Sequence, residues 1–258
     1  MTPPLIQGRN FGYRKDPADH RDFTLRGAPR VRFGEPLPVS ASVENVRVKP
    51  KDQGSTGSCT GQAWSQAVRL SYLQRGVDCP ELSALFSYYS NRAEFGEQNE
   101  DNGAFLRTGA AALVKLGIAE EKLWPFSETA VNIEPGFSAM RSAFDLKGAR
   151  SYHRVSLQTL DDVRRAIAAG YAVVGGWDVD EAFMDFDGIG IITSPDPNKL
   201  LGGHALCLTS YGADGTFRFI NSWGTGWGLN GYGVADEDWV RSGTDAWVVD
   251  VGARAAAS

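Results

Sequence analysis

Residues 53–64 read Gln-Gly-Ser-Thr-Gly-Ser-Cys-Thr-Gly-Gln-Ala-Trp, and no other stretch constrains the chain as much. A glycine-rich turn hands one cysteine, Cys59, to the start of an apolar period, with Ala63, Ala67 and Leu70 following at helical spacing. A helix start carries unpaired N–H groups and the positive end of the dipole, so a thiol placed there is pulled toward thiolate, its nucleophilic form. The plainer alternative is a small residue opening a core helix, the ordinary place of a free cysteine.

Three distant features favour the reactive reading. Gln53, six residues upstream, has a side chain able to donate hydrogen bonds toward the cysteine. His204 follows two glycines in the run Leu-Gly-Gly-His-Ala-Leu-Cys-Leu, which leaves its ring an open approach. Asn221 opens the run Asn-Ser-Trp-Gly-Thr-Gly-Trp-Gly. A cysteine with a distant His and Asn is one form of nucleophilic catalysis. His20 and His153 lack such surroundings and read as surface or core residues.

Together these residues resemble the papain-like cysteine peptidases, in particular their compact bacterial members with a short N-terminal segment. His204 lies 145 residues after Cys59 and Asn221 lies 162 after it, against the roughly 130–150 of the family pattern. The resemblance spans about residues 37–251. It implies an α+β, two-lobed fold with a helical N-terminal lobe, a β-barrel-like C-terminal lobe and the active-site cleft between them. It implies a cysteine endopeptidase acting on peptides or proteins through a thioester, with no cofactor and no metal. Cys59 would attack, His204 would carry the proton, Asn221 would orient the ring, and Trp223 would shield that bond. Gln53 and the Cys59 N–H would hold the oxyanion. Asn102, Gly103 and Ala104 stand where the family has the Asn-Gly-Gly that pairs with substrate. Gly203 and Ala205 would line the pocket for the residue two before the scissile bond. Both are small, which suits a bulky apolar side chain there. Three positions depart from the family: Thr60 replaces an aromatic, Leu229 an acidic residue, and Thr56 a cysteine that is usually bridged. An acyl transferase or peptide ligase needs the same triad, and a self-blocked peptide-binding module would keep the same groove.

Periodicity agrees with an α+β order. Helices are expected from Cys59 to about residue 74, over 83–93, over 105–116, and from a capping-box-like Thr159 to Ala169, with mixed loops and short elements over 118–150. Strands are expected over 37–52, 171–176, 189–193, 204–211, 216–222, 231–235 and 246–251. With 258 residues, 42% hydrophobic, the chain can bury one large domain or two fused lobes. The peptidase domain is expected over 37–252. Its helical lobe covers about 53–140, its β-rich lobe covers 141–252 plus 37–52, and a tail follows at 253–258.

Residues 1–36 differ in composition. Five prolines and seven Arg or Lys against four Asp or Glu give the segment a charge of +3, leaving −8 on the remainder of a chain whose net charge is −5. Phe11, Tyr13 and Phe23 are the anchors expected of an extended pro-segment or strap across the cleft, as in a zymogen. The acidic balance and lack of a basic patch argue against nucleic acid. No stretch reaches the ~20 apolar residues of a membrane helix. Residues 1–22 have no apolar core of a secretory signal. The expectation is a monomer, cytoplasmic or exported by a route without a visible signal peptide. Three cysteines, one of them needed free, predict a fold without disulfides.

Overall fold

The structure, a computed structural model, describes residues 8–44 and 48–252. The expected tail after residue 252 and the first seven residues of the N-terminal segment lie outside the described residues. Two short strands come first, β1 (Tyr13–Arg14) and β2 (Ala41–Ser42). Among the described residues of the entry strand expected over 37–52, only β2 and one isolated bridge, Asp52 to Trp223, are extended pairings; residues 45–47 lie outside the described residues. Pro38 and Pro50 interrupt the strand, because proline donates no ladder hydrogen bond.

Cys59 does open a helix. α1 (Cys59–Leu73) is buried along nearly its whole length and forms the spine of the helical part. Gly61 lets α2 (Ala84–Ala93) pack onto it, since a Cβ there would stand 2.6 Å from the Ala84 carbonyl oxygen. Ser83 caps α2 by accepting from the Phe86 N–H at 3.0 Å. β3 (Ala104–Phe105) leads into α3 (Leu106–Lys115). α4 (Phe137–Leu146) lies inside the region expected to be mixed loops and short elements. Its buried face is Ala139, Ser142, Ala143 and Leu146 at helical spacing, while Phe137 and Phe144 point outward at 82% and 70% exposure, so the largest apolar residues do not mark the buried side.

The rest alternates: β4 (Ser151–Arg154), α5 (Leu160–Ala168), β5 (Val173–Asp180), α6 (Glu181–Met184), β6 (Leu200–Tyr211), β7 (Phe217–Ile220), β8 (Tyr232–Ala235), α7 (Glu237–Ser242) and β9 (Asp245–Asp250). Thr159 precedes α5 without capping it through its side chain; its hydroxyl instead accepts from Ser156 Oγ. The strand expected over 189–193 is absent apart from one Ile192–Ala235 bridge. Gly188 and Gly190 at φ +93° and +85° break the extension and leave Ile189 exposed.

The sheet runs β4-β9-β5-β6-β7-β8, antiparallel throughout, with β2 beside β6. The barrel-like closure that the resemblance implies is not reached. β4 and β8 remain separate edges, each only four residues long and met by isolated bridges alone, Thr24 on Arg154 at β4, and Ile192 on Ala235 and Leu229 on Tyr232 at β8. α1 packs on β6, and this contact brings the Cys59 end of the helix to the His204 strand. The three cysteines are all free and buried, as the disulfide-free expectation requires.

Candidate active site

The turn before Cys59 is held by carboxylates from elsewhere in the chain. Asp101 accepts from the Gly57 N–H through both oxygens, at 3.0 and 3.1 Å, and from Tyr88 Oη at 2.7 Å. Tyr88 Oη accepts in turn from the Gly103 N–H at 3.0 Å, which ties the groove wall to the cysteine turn. On the other side Glu128 accepts from the Ser55 N–H at 3.0 Å and from the Ser55 hydroxyl.

Gln53 is fully buried. Its Nε2 donates to the Asn10 carbonyl at 3.0 Å and the Thr56 carbonyl at 2.8 Å, and its Oε1 accepts from Ser222 Oγ at 2.8 Å. His204, on β6, places Nε2 2.8 Å from Asn221 Oδ1. That oxygen also accepts from the Ser222 N–H at 2.7 Å. Among the described residues His204 Nδ1 has no hydrogen-bond partner, and the N–H of the next residue, Ala205, faces the Cys59 sulfur. Trp223 covers the imidazole, with ring centroids 4.7 Å apart. Thus Gln53, Cys59, His204, Asn221 and Trp223 converge at one place between α1 and the sheet.

The remaining space is filled by the chain's own N-terminal segment. β1 pairs with β3 in parallel, Tyr13 beside Ala104, and the Ala104 N–H donates to the Gly12 carbonyl at 2.8 Å. The Gly12 N–H faces the Cys59 sulfur. Only glycine fits at residue 12, because a Cβ would lie 1.8 Å from the Gly57 carbonyl oxygen. The Tyr13 ring sits over Gly176 and Gly203, and its hydroxyl donates to Asp245, which is also paired with Arg154. Phe11 lies over Gly202, with its edge toward His204 and Trp223.

Burial decides the electrostatics of this closed cleft. Desolvation pushes the Cys59 thiol up to about 11, against the pull of the Ala205, Gly12 and Thr60 N–H groups. Desolvation also holds His204 down at about 4, against the Asn221 hydrogen bond. The thiolate expected at a helix start is therefore suppressed while the segment is seated, because losing solvent outweighs the helix terminus.

Of the groove residues expected from sequence, Gly103 and Ala104 face the segment, whereas Asn102 turns to Glu100. Gly203 does back the Tyr13 ring, but Ala205 contributes its N–H at the sulfur. His153 is a satisfied residue between Thr24 and Ser151. Asp101, Tyr88, Glu128, Ser222 and Asp245 were not singled out by the sequence. Gly175-Gly176 within a β-branched run was a usable signal of close approach, but nothing local marked Asp245. Beyond Trp223 a cavity of about 1040 Å³ opens, lined partly by Arg9, Lys51, Asp52 and Trp227. Among the described residues no three His, Cys, Asp or Glu side chains are grouped as a metal site would need, and no helix is long and apolar enough to cross a membrane.

Comparison with known proteins bears on the family and the fold. The sequence model of the papain family cysteine protease matches residues 41–242. An uncharacterized peptidase C1-like protein of Acanthamoeba polyphaga mimivirus is 30% identical, over 93% of this chain and 86% of its own length. The crystal structure of Xylellain, a cysteine protease from Xylella fastidiosa, superposes with a TM-score of 0.83 at 28% identity, covering 95% of this chain and 97% of that one. Digestive procathepsin L 3 of the Tenebrio molitor larval midgut shares the fold, with a TM-score of 0.72 at 19% identity, over 95% of this chain and 76% of that one.

Proposed function

Because the chain belongs to the papain family of cysteine proteases, hydrolases that act on peptides or proteins, we propose that it works through Cys59, His204 and Asn221 with Gln53 at the oxyanion, and that residues 9–16 hold it shut. One observation carries the reading. Gln53 Nε2 already donates to a backbone carbonyl, that of Asn10, in an extended segment laid against Cys59. A substrate carbonyl would make the same contact.

Once the segment leaves, water re-enters and the charged pair is no longer penalised by burial. The Cys59 proton then passes to His204 Nδ1, while Asn221 keeps Nε2 engaged. The thiolate attacks the scissile carbonyl, and the oxyanion takes hydrogen bonds from Gln53 Nε2 and the Cys59 N–H. His204 returns the proton to the departing amine as the C–N bond breaks, leaving a thioester. Water, deprotonated by His204, attacks that thioester, and the thiol leaves with the acid product.

The seated segment resists the same fate. It runs parallel to β3, the reverse of the direction the family resemblance implies for substrate. The carbonyl at Gln53 and the amide at sulfur come from residues two apart, Asn10 and Gly12. The pocket holding Tyr13 is the one we assign to the substrate residue two before the scissile bond. The test is turnover of a peptide library by triad variants in a chain that also carries Gly12→Ala, which unseats the segment. Cys59→Ala abolishes hydrolysis, His204→Ala nearly does so, and Asn221→Ala leaves partial activity because it orients the ring and transfers no proton. Hydrolysis retained by folded Cys59→Ala contradicts the proposal.

A further inference from the structure

Arg9 lies on the Trp223 side of Asn10, beyond the carbonyl held by Gln53, and its guanidinium is seated in a formed cradle. Nη1 donates to Asp52 Oδ1 and to the Gly54 carbonyl at 3.3 Å, and Nη2 donates to the Trp223 carbonyl at 3.3 Å. The same group lies 5.8 Å from the Trp223 ring centroid. The Asp52 carboxylate is fixed from the protein side by the Gly54 N–H at 3.0 Å. These acceptors belong to the catalytic domain and remain when the segment is displaced. The cavity beyond them is lined, apart from Arg9, by five carboxylates and two lysines. Lys51 is already paired with Glu81 and Glu121. Removal of Arg9 thus leaves an acidic recess against the indole that covers His204.

We propose that this cradle is the specificity site for the leaving-group side of the substrate, and that peptides with an arginine next after the scissile bond are cleaved best. The inference rests on the peptidase reading above and adds the substrate class. A planar guanidinium can serve Asp52, Gly54 and Trp223 together, whereas an ammonium is a point donor, so lysine ranks second. Alanine gives up both the charge-assisted bond and the ring contact, and glutamate adds repulsion.

The experiment uses the full chain carrying Gly12→Ala, which forces residue 12 off the Gly57 carbonyl and opens the cleft without altering the cradle. Quenched fluorescent peptides share one acyl side, with tyrosine two before the bond, and differ only in the residue after it. The expected order of kcat/KM is Arg, Lys, Ala, Glu, with Arg over Ala by about tenfold, the worth of one charge-assisted and one cation–π contact. Asp52→Asn in the same background lowers the Arg-to-Ala ratio toward one. Should Gly12→Ala fold poorly, Arg9→Ala combined with Tyr13→Ala, which also removes the ring seated over Gly176 and Gly203, empties the cradle and loosens the segment, and serves as the background. Cleavage without an arginine preference, or a preference that survives Asp52→Asn, overturns this inference alone. No cleavage of any peptide, together with an unlabelled Cys59, overturns the peptidase reading and this inference with it.

Discussion

Residues 9–16 and residues 24–33 belong to one basic, proline-punctuated stretch, yet they meet the protein in different ways. The first set crosses the cleft on hydrogen bonds and ion pairs: Arg9 on Asp52, Asn10 on Gln53, Gly12 on Ala104, Tyr13 on Asp245, Arg14 on Glu97. Each of these polar contacts meets a group that water or substrate can also satisfy, and the two rings of this set, Tyr13 in the main core and Phe11 packed against it, rest on the glycines of the cleft wall, where a substrate side chain can replace them. The second set is apolar on its inner side. Leu25, Ala28 and Val31 are buried in the main core, with Phe33 packed against it and Arg30 over the Tyr171 ring. Water offers no substitute for those contacts, each large side chain being worth about 1.5–3 kcal/mol of burial. The difference teaches that a strap can be a lid along one half and a wall along the other. Deleting residues 1–36 as a block would therefore confuse loss of inhibition with loss of the fold.

The largest expected effect lies in the wall. Leu25→Ala lowers stability by about 2–5 kcal/mol, as other large-to-small core changes do, with no gain in specific activity. A thermal melt paired with an activity assay reads both. Higher activity with an unchanged melt would make the rear half part of the lid and break the comparison.

A smaller effect sharpens the cleft half through pH. Burial, then the Asp245 carboxylate beside it, raises Asp16 to about 6, while the Arg107 N–H and Trp247 Nε1 bind its carboxylate. The seated segment therefore prefers protonated Asp16. The stability this contributes is fully present below its ordinary value of 3.8 and is lost as pH rises through about 6. The strap loosens toward neutral pH, and the rate of Cys59 labelling in the full chain rises between pH 4 and 7 more than in Asp16→Asn. Equal slopes for the two proteins would remove Asp16 from the account.

The smallest effect expected is none. With Cys59, Cys79 and Cys207 all free, the melting temperature is the same with and without reductant, although activity needs the reductant. A midpoint that falls by several degrees on reduction would mean that a covalent staple shares the work assigned here to packing.

Most of the helical part was legible because its ends were marked: Cys59 opens α1 after a glycine-rich turn and Gly117 follows the end of α3 at φ +84°. α4 was missed because Phe137 and Phe144 face outward and obscure the buried row of Ala139, Ala143 and Leu146, and the 189–193 strand was misread because isoleucines between glycines mimic a β-run. The residues we propose as the triad were legible through the Asn-Ser-Trp-Gly run and the glycines before His204. The brace from Asp101 and Tyr88 to Gly57 was hidden, since its members are far apart in sequence and none is unusual where it stands. The two halves of the N-terminal segment could not be told apart either, because Leu25 and Val31 are spaced as sparsely as Phe11 and Tyr13. Only the surfaces they meet distinguish them.

The central claim is that a cysteine peptidase is complete in this chain and is shut by residues 9–16. The most direct measurement compares labelling of Cys59 by an epoxide-type thiol inhibitor in the full chain and in Gly12→Ala, with melting temperatures recorded alongside. The account predicts labelling at Cys59 alone, at least about tenfold faster in the variant, as loss of one or two seated contacts would give, with a melt close to that of the parent chain. Equal labelling rates in two equally stable proteins would contradict it.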